Sequence, residues 1–272
     1  MTTSSRGSNE VVRRNNVSVS GNHEGRTLLF GHGFGGSQDS WRLVAPEFED
    51  DYRVIVFDHV GAGGSDASAY DRGKYDSLHG YTDDLIEIIV ELDLWDVVFV
   101  GHCVSAMMGV LAANRIPERF SRLVLVDPSP RYVDDEGYEG GFTQGGIESL
   151  LDSLDANYLG WSTRMAPALM GNADRPQLAA DFASGFFTVD PEIAAQFARA
   201  TFLSDHRRDL ADVTVPTLIL QSTDDVIAPP SVGAFVHASI PNSVYVEMST
   251  RGHVPNLSDP GQVVAHIRSF LQ

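Results

Sequence analysis

Short apolar runs alternate along the chain with stretches whose apolar residues recur at helical spacing. The runs lie at Thr27 to Phe30, Arg53 to Phe57, Val97 to Val100, Leu123 to Val126, Thr217 to Gln221 and Val244 to Glu247, and each predicts a strand. Val17 to Ser20 predicts an early antiparallel strand, and Met1 to Glu10 a loose tail. Helical patterns cover Trp41 to Phe48, Tyr81 to Leu92, Val104 to Arg115, Ser231 to Ala238 and Gln262 to Leu271. This order predicts an α/β fold, a mostly parallel central sheet with helices on both faces.

Between Ser129 and about Asp212 the alternation stops and helical patterns follow one another. An insertion of that size predicts a helical lid over the carboxyl ends of the strands. The expected organisation is a core of residues 1–128 and 213–272 with a lid at 129–212, inserted after the sixth strand. The lid is rich in apolar and aromatic residues; Phe142, Tyr158, Trp161, Met165, Phe187 and Phe202 are expected to face a pocket.

Composition narrows the functional classes. At 272 residues the chain can bury a full core as one domain. A net charge of −18 without a basic run argues against nucleic acid or an anionic membrane as partner. The chain has no apolar run of membrane-spanning length and no apolar segment near its start, so a cytoplasmic location is expected. Its single cysteine excludes an internal disulfide and a cysteine-based zinc cluster. No histidine pair has metal-ligand spacing, and neither a metal nor an organic cofactor is expected.

That cysteine stands in an informative frame. Gly101-His102-Cys103-Val104-Ser105 follows an apolar run and precedes a helical pattern, the strand, sharp turn and helix of a nucleophile elbow. The nucleophile in such a turn sits in a strained conformation, so its neighbours two residues either side must be small. Gly101 and Ser105 qualify, although glycine is more usual at the second position. The helix N-terminus favours a thiolate and a developing oxyanion. Outside this frame a lone cysteine reads as a small buried hydrophobe.

Three further motifs supply the parts of an acyl-transfer site. His32-Gly33-Phe34-Gly35-Gly36 follows the first central strand; the Phe34 amide, with that of Val104, would form an oxyanion hole. Asp58-His59-Val60-Gly61-Ala62-Gly63-Gly64 lacks the glycine spacing of a nucleotide fingerprint and reads as a structural turn. Asp224-Asp225 closes a late strand and His253 follows the last one. In the order nucleophile, acid, histidine, His253 would take the thiol proton while a carboxylate holds its tautomer. Asp127, at the end of an earlier strand, could also reach a histidine there. His32 and His102 lie beside the site and shape it.

The chain resembles the α/β-hydrolase branch that contains the bacterial stress-signalling hydrolase RsbQ and the plant karrikin and strigolactone receptors. The resemblance runs from about Asn16 to Leu271 through HGFGG, FDHVGAGGSD, VFVGH, PSPRYVDDEGYEGGF, SDHRRDL, VTVPTLILQSTDD and RGHVPNLSDP. It implies the α/β-hydrolase fold with a four-helix cap over an apolar pocket. The triad positions fall on Cys103, Asp225 and His253, with Asp225 chosen because it stands four residues before Pro229. The branch has serine where Cys103 stands. The expected function is hydrolysis of a small apolar ester, lactone or enol-ether-like substrate through a thioester, with His102 among the pocket residues. The alternatives are acyl transfer from the same thioester and a slow-turnover sensor that signals to a protein partner.

Overall fold

The computed structural model describes residues 10–186 and 189–272. Strands β1 (Ser18–Gly21), β2 (Arg26–Gly31), β3 (Tyr52–Val56), β4 (Val97–His102), β5 (Phe120–Val126), β6 (Thr217–Asp224) and β7 (Ser243–Arg251) form one sheet. Its order is β1-β3-β2-β4-β5-β6-β7. Only β1 is antiparallel to its neighbour, as expected; the other pairs are parallel. The longer helices are α1 (Leu78–Glu91), α2 (Val104–Arg115), α3 (Gln144–Ala156), α4 (Tyr158–Met170), α5 (Pro176–Phe186), α6 (Pro191–Phe202), α7 (Pro230–Ser239) and α8 (Pro260–Leu271).

Successive side chains of a strand point to opposite faces, and that period divides the core into two apolar layers. Leu29, Ile55, Phe99, Leu123, Leu125 and Ile219 meet α1, α2 and α7 on one face. Leu28, Phe30, Val54, Val98, Val100, Val124 and Leu220 meet Trp41, Phe48 and α8 on the other. Covered on both sides, β4 is buried at every residue, which explains its unbroken apolar run.

Two expectations are corrected. Trp41 to Phe48 is not an α-helix but part of two short 3-10 turns, Gln38–Trp41 and Ala45–Phe48. Pro46 lacks the N–H that a continuous helix would use and its ring would clash with the preceding turn. The helical insertion, α3 to α6, leaves after β5, the fifth described strand and not the sixth. Upstream of β1 the chain is helical at residues 10–14, where Arg14 bonds Glu87 and pairs with buried Asp84 on α1. The rest of the expected N-terminal tail lies outside the described residues.

Candidate active site

The turn between β4 and α2 concentrates strain on one residue. Cys103 has φ 55° and ψ −121°, a left-handed conformation that costs a non-glycine residue on the order of 1–3 kcal/mol. Packing around it enforces the turn: a Cβ on Gly101 would lie 2.6 Å from the Ser105 carbonyl oxygen, so only glycine fits. The Cys103 N–H donates to the Val126 carbonyl on β5 (2.9 Å). The glycine loop after β2 passes directly against Cys103, where a Cβ on Gly33 would lie 3.0 Å from Cys103 Cβ.

Beyond β7, His253 is held at three points. Its N–H donates to the Leu169 carbonyl on α4 (2.6 Å). Its carbonyl accepts from His102 Nε2 (2.6 Å). Its ring Nδ1 lies 2.7 Å from Asp225 Oδ2, while Asp225 Oδ1 accepts from the N–H groups of Ile227 (2.8 Å) and Ala228 (3.2 Å). His253 Nε2 is buried without a hydrogen-bond partner among the described residues. Asp225, not Asp127, therefore faces the histidine. Asp127 accepts instead from the Ser222 N–H (2.6 Å) and Ser222 Oγ (2.9 Å).

These placements set the charges. Burial pushes the Cys103 thiol up, but His253, the Tyr132 hydroxyl at 3.5 Å and the Val104 amide together hold it below the ordinary thiol range. Burial pulls His253 down, and Asp225 and Cys103 more than offset that, leaving it well above the usual imidazole range. The pair favours thiolate and imidazolium. Burial and the neighbouring His253 charge lower His102 to about 3, so it is neutral and its Nε2–H donates. Burial and the Asp225 charge push Asp127 well above the carboxylate range. His102, Asp127 and His253 bring ligand atoms within 4.8 Å of one another, but Ser222 already engages both Asp127 oxygens and the His253 carbonyl engages His102 Nε2.

Cys103, His102 and His253 open onto an apolar cavity walled by Phe34, Leu150, Trp161, Met165, Leu169, Phe182, Phe202, Ile227 and Val254. The cavity, together with its opening to solvent, has a volume of about 430 Å³. Four of the expected pocket residues, His102, Trp161, Met165 and Phe202, line it. Phe142 does not: it is half-buried, bridged to Val133, and packs within the insertion. Tyr158 lines a smaller cavity on the other side of Phe34, with Val60, Ile193 and Phe197. Phe187 lies outside the described residues.

Sequence reasoning missed Tyr132, Leu150, Leu169, Phe182, Ile227 and Val254. Helical spacing could have found one of them, since Trp161, Met165 and Leu169 stand four residues apart on one face of α4. Tyr132 carries no local signal; the fold alone brings its hydroxyl to Cys103. Phe34 closes the cavity on the loop side, its ring within 5.5 to 6.2 Å of those of Trp161, Phe186, Phe197 and Phe202. Among the described residues nothing accepts the Phe34 N–H.

A family model described as alpha/beta hydrolase fold matches residues 26–260. The chain is 38% identical over 262 residues to a strigolactone esterase of Arabidopsis thaliana, covering 96% of this chain and 97% of that protein. It is 37% identical over 255 residues to a karrikin insensitive 2 receptor of Petunia hybrida, covering 93% and 94%. The solved structure of a hydrolase from Oleispira antarctica superposes with a TM-score of 0.94 at 39% identity, over 97% of each chain.

Proposed function

The chain belongs to the alpha/beta hydrolase fold family and is an esterase-type hydrolase, and from that premise we propose that it cleaves a small, largely apolar ester, lactone or enol-ether-like substrate with Cys103 as nucleophile. One observation carries the proposal: a strained thiol at a helix N-terminus shares an apolar cavity with a histidine held 2.7 Å from a buried aspartate.

Cys103 Sγ, its proton already on His253, attacks the substrate carbonyl carbon. The tetrahedral oxyanion receives the N–H groups of Phe34 and Val104. Collapse breaks the carbon–oxygen bond, and His253 Nε2 returns its proton to the leaving oxygen. Asp225 fixes the Nδ1–H tautomer and stabilises the imidazolium. Water, deprotonated by His253, then attacks the thioester, and the acid leaves as the thiolate is restored. In a lactone the leaving oxygen becomes a hydroxyl still tethered to the acyl group, and the second step releases a single hydroxy acid.

A second reading, a slow-turnover ligand sensor, has its own support. The cavity is walled in part by residues of α3 to α6, so a bound ligand would press directly on the insertion. Ligand occupancy would then be visible on the outer surface of the insertion.

Aryl esters and lactones, with and without alcohol, amine or thiol acceptors, test these readings together with mass measurement of the protein. Hydrolysis is expected with a transient acyl adduct on Cys103, both lost in Cys103→Ala. Acceptor-dependent products would point to acyl transfer, and a persistent adduct with altered protease sensitivity in the insertion to sensing. Cys103→Ser is expected to lose activity, because the less acidic hydroxyl depends more on His253 as base. A serine variant at least about tenfold faster than the parent would refute a pocket built around sulfur.

A further inference from the structure

The turn after β3 holds a histidine that the proposed mechanism does not use. His59 is 1% exposed, and its Nε2 lies 3.0 Å from the His32 carbonyl oxygen and 2.8 Å from Ser105 Oγ. Ser105, on the first turn of α2, donates its hydroxyl to the same carbonyl (2.6 Å). Three elements thus converge on one peptide oxygen: the end of β2, the turn after β3 and the helix that carries the nucleophile.

That oxygen belongs to the residue before the glycine loop, and the His32 ring continues the connection. The His59 N–H donates to His32 Nε2 (3.1 Å), so the proton of the neutral His32 ring sits on Nδ1, which donates to the Gly33 carbonyl (2.8 Å). The Gly33 carbonyl and the Phe34 N–H are the two ends of one planar trans peptide and point in opposite directions. The Gly33 carbonyl, held by the His32 ring and by the Gly36 N–H (3.2 Å), therefore aims the Phe34 N–H away from His32. The far end of the loop is pinned separately, where the Gln38 N–H donates to buried Asp58 (2.7 Å).

We propose that Ser105 and His59 are positioning residues for the oxyanion site, acting through His32 to set the peptide plane that presents the Phe34 N–H. The inference rests on the assignment of Cys103 and the Phe34 amide made above. It gives a role to the hydroxyl at the elbow position where glycine is more usual. It also gives one to His59, within a motif that otherwise serves as a turn. Buried polar atoms that lose a partner are costly, and either Ser105→Ala or His59→Leu takes a hydrogen-bond donor from the His32 carbonyl at the start of the loop.

The test exploits a difference between two reactions of the same thiol. Ester cleavage forms an oxyanion; alkylation by iodoacetamide does not. Ser105→Ala is expected to lower kcat for an aryl ester about tenfold, and His59→Leu on the order of a hundredfold, from a misplaced donor. KM and the pH profile of Cys103 alkylation should stay within about twofold of the parent, because ground-state binding and the thiolate are untouched. His59→Gln, which returns an N–H near the Nε2 position, should recover most of the loss. Should His59→Leu fail to fold, the single hydroxyl removed in Ser105→Ala decides alone. Unchanged ester rates in Ser105→Ala and His59→Leu, with activity still abolished in Cys103→Ala, would overturn this inference alone. A parallel fall in alkylation would overturn it too, by placing the effect on the thiol. Ester hydrolysis that survives Cys103→Ala would remove the reading beneath it.

Discussion

Cys103, His253 and the two aspartates between them show how neighbours assign roles to identical side chains. Asp225 is an acceptor facing an imidazole, whereas Asp127, bound by Ser222 and beside the Asp225 charge, has its pKa pushed well above the carboxylate range. Asp225→Asn should therefore slow acylation by several orders of magnitude (~10⁴ in a serine-protease template). Asp127→Asn, which keeps the side chain's shape and an acceptor oxygen for Ser222 away from the His253 ring, should change it little; burst kinetics with an aryl ester would show the reverse ranking if Asp127 were the acid. A second expectation concerns pH. The folded thiol lies below its ordinary range, so thiolate is present above that depressed value and is lost as pH falls through it. Iodoacetamide labelling should stay fast at pH values where a free thiol is protonated, and His253→Ala should move the profile upward. A parent profile matching a free thiol, indifferent to His253→Ala, would dissolve the pair.

Among the elements, the elbow was the most legible. Strand, turn and helix each carry a local pattern, and Val104–Arg115 is helical over the expected residues. The insertion was legible as helices but not as a wall. Its apolar residues serve two purposes, packing α3 to α6 on one another and lining the cavity, and periodicity does not separate them. Phe142 packs while Phe182 lines. Phe186 ties the insertion to the glycine loop: it is fully buried, and a Cβ on Gly35 would collide with its ring. Removing that ring leaves a cavity, which costs about 3–5 kcal/mol. Phe186→Ala should lower the melting temperature and raise KM as the insertion loosens from the loop; calorimetry and ester kinetics unchanged from the parent would refute that coupling.

Across the whole molecule, charge and enclosure act together on ligand choice. The net charge of −18 repels anions during approach, and the cavity walls are apolar. Among the described residues no helix is long and apolar enough to cross a membrane. A carboxylate-bearing aryl ester should react more slowly than its neutral isostere. Its kcat/KM should rise between about 0.01 and 0.15 M salt, as the screening length shrinks from roughly 30 to 8 Å, while the neutral ester stays flat. Equal salt dependence for both would show that the surface field does not govern entry.

The sequence alone determined the layered sheet and the strand, sharp turn and helix around Cys103, because each is written in contiguous residues whose periodicity or sterics suffice. Tertiary structure decided which aspartate meets His253, that the Tyr132 hydroxyl reaches Cys103, and that His32, His59 and Ser105 meet at one carbonyl. Those contacts join residues 27 to 73 positions apart. No local pattern encodes them, since chain reversal between strands sets them and the same residue types would satisfy many other pairings.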